Sequence, residues 1–203
     1  MDPFTLVAFG DSLTYGYGVL DHIAYPACLK KDFPKLRIIN KGINGNTTRE
    51  ALERIHRDVF SFHPQIVIIF FGSNDSSLAE DYYRPLIEYE KKMRSITELV
   101  LSFQHGAEFN GGKSLAIFIT PPPVVDTDFF PFTTTDRVQL YAEATKKIAA
   151  EYNCPVIDFF SALLAKKEEA YEDFFQFDGI HLSNAGYALL YPMIRDMVAG
   201  YIR

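Results

Sequence analysis

Cysteine is scarce in this chain. Cys28 and Cys154 are the only two among 203 residues. Two cannot build a disulfide framework, and nothing near them has the spacing of zinc ligands. Basic charge is also in short supply. Twenty Lys and Arg stand against 26 Asp and Glu, for a formal net charge of −6 and a pI near 5.4. No basic patch is evident, which argues against nucleic acid as a partner. Long apolar runs are missing too. The longest, at about residues 64–72, is far too short to span a bilayer, so no stable membrane insertion is expected. Met1-Asp2-Pro3 carries no basic region, and the apolar run behind it has the length of a strand rather than of a signal peptide. A cytoplasmic protein is the expectation. There are no repeats, low-complexity segments or linkers. A hydrophobic fraction of 48% with 23% charged residues is that of a globular chain, and the length fits one domain over residues 1–203.

Short apolar runs alternate with longer amphipathic segments. The pattern predicts strands at 5–9, 36–40, 65–71, 115–120 and 155–159. It predicts helices at about 24–32, 47–60, 84–104, 134–152 and 184–202, with a shorter one at 161–167. The third strand, Ile66-Val67-Ile68-Ile69-Phe70-Phe71, is apolar on both faces, as a strand buried within a parallel sheet must be. Thr47-Thr48-Arg49-Glu50 opens its helix with a hydroxyl followed by an acid, a capping signal. Five strands separated by helices predict an α/β fold, an open parallel sheet covered on both faces. Ligands of such sheets bind beyond the carboxyl ends of the strands.

Three loops at those ends carry reactive or donor groups. The first strand stops on Gly10-Asp11-Ser12, where a rigid strand followed by a turn presents a hydroxyl at the sheet edge. The same Asp-Ser is also an ordinary turn or helix cap. The second strand is followed by Asn40 to Thr47, in which Gly45 offers an unobstructed backbone N–H. The third leads into Gly72-Ser73-Asn74-Asp75, in which Asn74 offers a side-chain amide. With strand order 2-1-3-4-5 these loops lie side by side and hold the parts of an acyl-transfer site, a hydroxyl and oxyanion donors.

A serine nucleophile needs a base. His22 follows the serine loop and is the local rival. His56 lies in a charged helix with Glu53, Arg54, Arg57 and Asp58, and reads as a solvated face residue. His63 precedes Pro64 in a turn. His105 reads as the end of a long helix, where a cation suits the dipole. His181 lies in Asp178-Gly179-Ile180-His181, where an acid three residues earlier can fold back to meet an imidazole N–H and leave the other nitrogen for the serine. The bland alternative is a loop Asp and a His before a helix capped by Ser183. In the order 2-1-3-4-5 the fifth strand is far from the first, so residues 161–179 must carry His181 back over the sheet. Tyr171, Phe174, Phe175 and Phe177 in that segment are either core packing or an acyl-pocket wall. Asp126, Asp128 and the patch Phe129-Phe130-Pro131-Phe132 follow the fourth strand, and capping of the core is the expectation for the aromatics.

Gly10-Asp11-Ser12-Leu13, Gly45, Gly72-Ser73-Asn74-Asp75 and Asp178-Gly179-Ile180-His181 resemble the four sequence blocks of the GDSL, or SGNH, hydrolases, in the family's order and over nearly the whole chain. Tyr25-Pro26 and Thr120-Pro121-Pro122-Pro123 look like small bacterial acylesterases and isoamyl-acetate-hydrolysing esterases, and thioesterase/lysophospholipase members share much of the first block. The resemblance implies a flavodoxin-like three-layer α/β/α sandwich and serine-dependent ester hydrolysis, with no cofactor and no metal. It implies Ser12 as nucleophile, His181 as base and Asp178 as the residue that orients it. The oxyanion hole would comprise the N–H groups of Ser12 and Gly45 and the side chain of Asn74. Gly45 is preferred to Gly42 because it directly precedes Asn46-Thr47-Thr48, as the family's second-block glycine precedes its polar turn. Asp11 reads as structural. The substrate class implied is a small-molecule ester, with acyl-thioesters, lysophospholipids and O-acetylated sugars as alternatives. No pattern specifies an oligomeric state.

Two other classes compete. A non-catalytic binding module on the same fold would be expected to lack the serine or the histidine, and both are present. A flavodoxin-like nucleotide binder would need a phosphate fingerprint that Gly16-Tyr17-Gly18 and the Gly42/Gly45 loop do not provide.

Overall fold

A computed structural model describes residues 4–106, 108–128, 131–167 and 171–202. Residues 1–3, Phe129 and Phe130, on which expectations were placed above, lie outside that range. Five parallel strands form one sheet in the order β2-β1-β3-β4-β5. They are β1 (Thr5–Gly10), β2 (Arg37–Gly42), β3 (Ile66–Phe70), β4 (Leu115–Ile119) and β5 (Val156–Ile157). The α/β class and the strand order are as expected, and the sheet is covered by helices on both faces.

Alternation along the strands sorts the core into two layers. Leu6, Ala8, Ile66, Ile68 and Phe70 face α2 (Tyr25–Asp32), α7 (Phe159–Leu164) and α8 (Asn184–Tyr201). Val7, Phe9, Val67, Ile69 and Phe71 face α3 (Thr48–Asp58), α5 (Leu86–Ser102) and α6 (Thr135–Glu151). Every residue of β1 and β3 is buried. Each buried Val, Leu, Ile or Phe contributes about 1.5–3 kcal/mol relative to exposure, so the two central strands form a rigid floor.

The structure revises the sequence reading in several places. β2 continues through Gly42, so residues 40–42 pair with β1 rather than opening a loop. β5 has two residues, because Asp158 caps α7 by accepting from Ser161 N–H at 3.1 Å and ends the strand early. Two four-residue helices, α1 (Ser12–Tyr15) and α4 (Ser73–Ser76), occupy stretches read as loops. α5 ends at Ser102, so His105 is not at its terminus. The His105 ring instead meets the Lys113 carbonyl at 3.1 Å. Pro121 to Pro123 are buried behind the third loop, and Pro121 packs against Gly72. Phe132 is 55% exposed and does not cap the core. Phe175 is buried, with Tyr171 and Phe174 packed beside it, whereas Phe177 is 80% exposed.

Among the described residues no helix is long and apolar enough to cross a membrane.

Candidate active site

Ser12 stands at the first position of α1, directly beyond the carboxyl end of β1. Asp11 caps that helix, its Oδ1 accepting from Leu13 N–H at 2.9 Å, and Gly16 closes it in the left-handed region at φ 94°. The Asp11 carboxyl is fully enclosed, and burial pushes it up to about 7. The charge of Asp75 also raises it, while the Leu13 N–H and Arg54 pull the other way. Its carboxyl bonds the α1 backbone rather than His181, in keeping with a structural role.

The segment from 171 to 183 crosses back over the sheet as anticipated. A 3-10 turn at Tyr171–Phe174 leads into a narrow loop. Phe175 bridges Leu182, and Gln176 N–H donates to the His181 carbonyl at 2.7 Å. Gly179 turns that loop at φ 75°, where a side chain is disfavoured. A Cβ there would stand 2.4 Å from the Val125 carbonyl oxygen. The loop after β4 grips this turn, through Val125 N–H to the Gly179 carbonyl at 2.8 Å and Thr127 Oγ1 to the Asp178 carbonyl at 3.0 Å. Ser183 then caps α8, and the Tyr187 hydroxyl donates to the Leu13 carbonyl at 2.8 Å, tying α8 to α1.

These supports bring His181 to Ser12. The Nε2 of His181 lies 3.0 Å from Ser12 Oγ, and its Nδ1 lies 2.7 Å from Asp178 Oδ2. The other oxygen of Asp178 accepts the N–H groups of Ile180 and His181, both at 2.9 Å. Burial opposes ionisation of Asp178, but the bonds from the His181 ring and the two amides outweigh it and hold the carboxyl below its usual value. An ionised Asp178 places the imidazole proton on Nδ1 and leaves Nε2 as acceptor for the serine hydroxyl. Of the other histidines, His22 and His56 are exposed, His63 sits at φ 49° before Pro64, and none of these bonds Ser12.

Gly45 and Asn74 reach the same edge of the sheet. Gly45 is in the left-handed region at φ 75°. Among the described residues neither its N–H nor that of Ser12 has a hydrogen-bond acceptor, whereas Gly42 N–H is taken by Asn40 Oδ1 at 2.9 Å. Asn74 Nδ2 donates to the Asn46 carbonyl at 3.0 Å. That bond orients the amide and leaves its second hydrogen for a ligand. Asp75 accepts from Thr48 N–H at 3.0 Å and joins the third loop to the start of α3. Burial, the largest influence on it, pushes the Asp75 carboxyl up to about 7. The capping box is present, Thr47 being the N-cap and Glu50 accepting its N–H at 2.8 Å.

Two tyrosines stand over these groups. The Tyr17 ring packs on the His181 ring with centroids 4.4 Å apart. Gln176 Nε2 donates to the Tyr17 carbonyl at 2.7 Å and fixes that loop against the histidine loop. The Tyr82 ring lies against Gly45, where a Cβ would meet it at 3.3 Å. A cavity of about 530 Å³, lined in part by Asp126, Thr127, Gln176 and Phe177, opens on the outer side of the histidine loop and does not include Ser12. Among the described residues no three His, Cys, Asp or Glu side chains could together hold a metal ion.

The site contains two residues whose importance the sequence reading did not see. Arg54 and Asp58, taken with His56 as part of a charged helix, are buried beneath the second loop, while His56 itself is exposed as expected. Both lie on the core-facing stripe 51, 54, 55, 58 of α3. Charges at core-facing spacing were the signal that could have found them.

A Ser–His–Asp chain with unpaired donors beside it, at the carboxyl edge of an open parallel sheet, has the form of a serine acyl hydrolase. The chain belongs to the GDSL-like lipase/acylhydrolase family, whose model matches residues 8–189. It is accordingly a hydrolase of ester bonds. It is 29% identical to an isoamyl acetate-hydrolyzing esterase 1 homolog of Rattus norvegicus, over 92% of this chain and 78% of that protein. It is 26% identical to the isoamyl acetate-hydrolyzing esterase of Saccharomyces cerevisiae, over 98% and 87%. Among solved structures, a lipase/acylhydrolase from Enterococcus faecalis superposes with a TM-score of 0.81 at 29% identity, covering 97% of this chain and 96% of that one. An acetylxylan esterase from Geobacillus stearothermophilus superposes at 0.77 with 25% identity, covering 96% and 94%.

Proposed function

We propose that this chain cleaves small or medium-chain carboxylic esters through an acyl-enzyme on Ser12. The single observation that carries the reading is the unbroken chain Ser12 Oγ–His181 Nε2, His181 Nδ1–Asp178 Oδ2. Ser12 Oγ attacks the ester carbonyl as His181 Nε2 takes its proton. Asp178 holds the resulting imidazolium. The tetrahedral oxyanion is met by the N–H of Ser12, the N–H of Gly45 and the free hydrogen of Asn74. Collapse expels the alcohol, which takes the proton from His181. Water, deprotonated by the same nitrogen, then releases the acid and restores Ser12. Gly45 is assigned in preference to Gly42 because Gly42 N–H is already bonded to Asn40.

Short acyl esters are the first choice of substrate because the curated relatives include isoamyl acetate-hydrolyzing esterases. A second reading, removal of O-acetyl groups from sugars, is favoured by the polar cavity beside the histidine loop and by the likeness to an acetylxylan esterase. Two further points belong to the same proposal. Residues 1–203 act as one catalytic domain, and the protein works in the cytoplasm; a single unfolding transition and cell fractionation test them.

The deciding experiment is a panel of p-nitrophenyl and sugar acetates with lengthening acyl chains. Ser12→Ala and His181→Ala should each lower kcat by at least about 10³-fold, and His22→Ala should leave it unchanged. Retained hydrolysis by Ser12→Ala would refute the assignment. Loss in His22→Ala with activity kept in His181→Ala would move the base.

A further inference from the structure

Arg54 is a cation buried beneath the site, at 6% exposure. Its guanidinium makes four bonds. Nε donates to Asn46 Oδ1 at 2.7 Å, Nη2 to the Gly10 carbonyl at 2.9 Å, and Nη1 to the Lys41 carbonyl at 3.0 Å and to Asp58 Oδ2 at 3.2 Å. The group also lies 4.4 Å over the ring of Phe9. One carboxylate, Asp58, would suffice to balance the charge. The three neutral acceptors are what an ion pair alone does not require.

Those acceptors are distributed in a particular way. Gly10 is the last residue of β1 and stands two before Ser12. Lys41 lies near the end of β2, ahead of the loop that contains Gly45. Asn46 directly follows Gly45, and its backbone carbonyl receives the Asn74 amide at 3.0 Å. Each of the three proposed oxyanion donors is therefore linked to this one cation through a short stretch of backbone or one further hydrogen bond. We propose that Arg54 is a positioning residue that sets the spacing between the Ser12 N–H, the Gly45 N–H and the Asn74 amide. The inference rests on the donor assignment made above.

The chemistry of the side chain fits the task. A guanidinium is planar and presents its donors in a fixed fork, so it spans several acceptors at once without flexing. A lysine ammonium could satisfy the charge of Asp58 but could not bridge the ends of β1 and β2 to Asn46. The far side of the same loop is held separately by Arg84, which donates to Thr47 Oγ1 at 3.1 Å and to Glu50 Oε1 at 3.0 Å. Arg84 thus fixes the start of α3, and Arg54 fixes the strand ends relative to it. Oxyanion donors act only when held where the transition state places its charge, and a displacement near 1 Å costs about 100-fold in rate.

The test compares Arg54→Lys with the parent on p-nitrophenyl acetate, in the Asn74 background and in the Asn74→Ala background. The expected result is a fall in kcat of about 10- to 100-fold with KM changed less than about twofold, and a several-fold smaller fall when Asn74 is already Ala. Ile55→Val, one residue along α3, serves as a stability control; it should lower Tm and leave kcat unchanged. An unaltered kcat in Arg54→Lys would overturn the proposal. So would the same factor in both backgrounds, or an equal kcat loss in Ile55→Val. Should Arg54→Lys not fold, Asn46→Ala removes one acceptor and spares the backbone carbonyl. Its kcat should fall with the same dependence on Asn74, and no fall would overturn the proposal. Ser12→Ala, run alongside, separates the two claims. If it is inactive while Arg54→Lys is fully active, only the positioning role fails; if it is active, the acyl-enzyme reading on which the donor assignment rests fails.

Discussion

The floor of the site and its rim are built differently. On the floor, Ser12, Asp11, Arg54, Asp75 and Asp178 are buried, and among the described residues no buried side-chain nitrogen or oxygen lacks a hydrogen-bond partner. The rim carries large apolar side chains in water: Tyr15, Tyr17, Ile43, Leu78, Tyr82 and Phe132 are each at least 38% exposed. A buried polar network tolerates little change, because a lost partner leaves a desolvated group unpaired. An exposed aromatic bonded to nothing can be exchanged at little cost. On the proposed mechanism the contrast leaves the chemistry to the floor and the choice of substrate to the rim.

Three substitutions can break or sharpen that division. The largest effect is expected from Asn74→Ala on the floor. Removing one oxyanion donor should lower kcat by about 10²- to 10³-fold with little change in KM, measured as steady-state kinetics on p-nitrophenyl acetate. A rise in KM with kcat intact would instead place Asn74 in ground-state binding. Next comes Tyr82→Ala on the rim. Freed space over Gly45 should shift preference toward longer acyl chains by up to about tenfold, with kcat on the acetate ester preserved. A uniform kcat loss on all chain lengths would show that the rim shares in the chemistry.

The smallest effect concerns stability. The folded pKa of Asp11, about 7, lies above its ordinary value near 3.8 because of burial first and Asp75 second. Between about pH 4 and pH 7 the unfolded chain therefore gives up this proton while the folded chain retains it. By linkage, the contribution of Asp11 to stability falls as pH rises through that window and levels off above it. Asp11→Asn keeps an oxygen to accept Leu13 N–H and abolishes the titration. Its Tm should exceed that of the parent by a few °C at about pH 8 and match it near pH 4, as read by thermal melts across pH. A variant less stable than the parent at the higher pH would show that Asp11 contributes as an ionised cap.

Much of this architecture is legible in the amino-acid sequence. The doubly apolar run 66–71 announced a central parallel strand, and the loops that follow the first three strands announced where donors would gather. The turn from Asp178 to His181 was legible because a three-residue spacing lets an acid reach its own histidine. Other features left no periodic trace. α1 and α4 are each about one turn long, too short for a 3.6-residue pattern to register. The end of β5 is decided by the Asp158 cap rather than by strand propensity. Arg54 and Asp58 were hidden for a different reason. Charge is the usual mark of a solvated face, and here it occupies the same stripe as Ala51 and Ile55. The pair is buried only because the ends of two other strands supply acceptors, which local sequence does not encode.

The hydrogen bond between Ser12 and His181 joins residues 169 positions apart in the chain. The proposed nucleophile, the proposed oxyanion donors and the arginine beneath them all lie within the first 74 residues, yet the proposed base and orienting acid arrive with the last turn before α8. A chain truncated before residue 178 would hold a serine and its donors without anything to remove the proton. On the proposed mechanism ester cleavage is thus a readout of the finished fold, and its recovery after dilution from denaturant would time the arrival of His181 at Ser12.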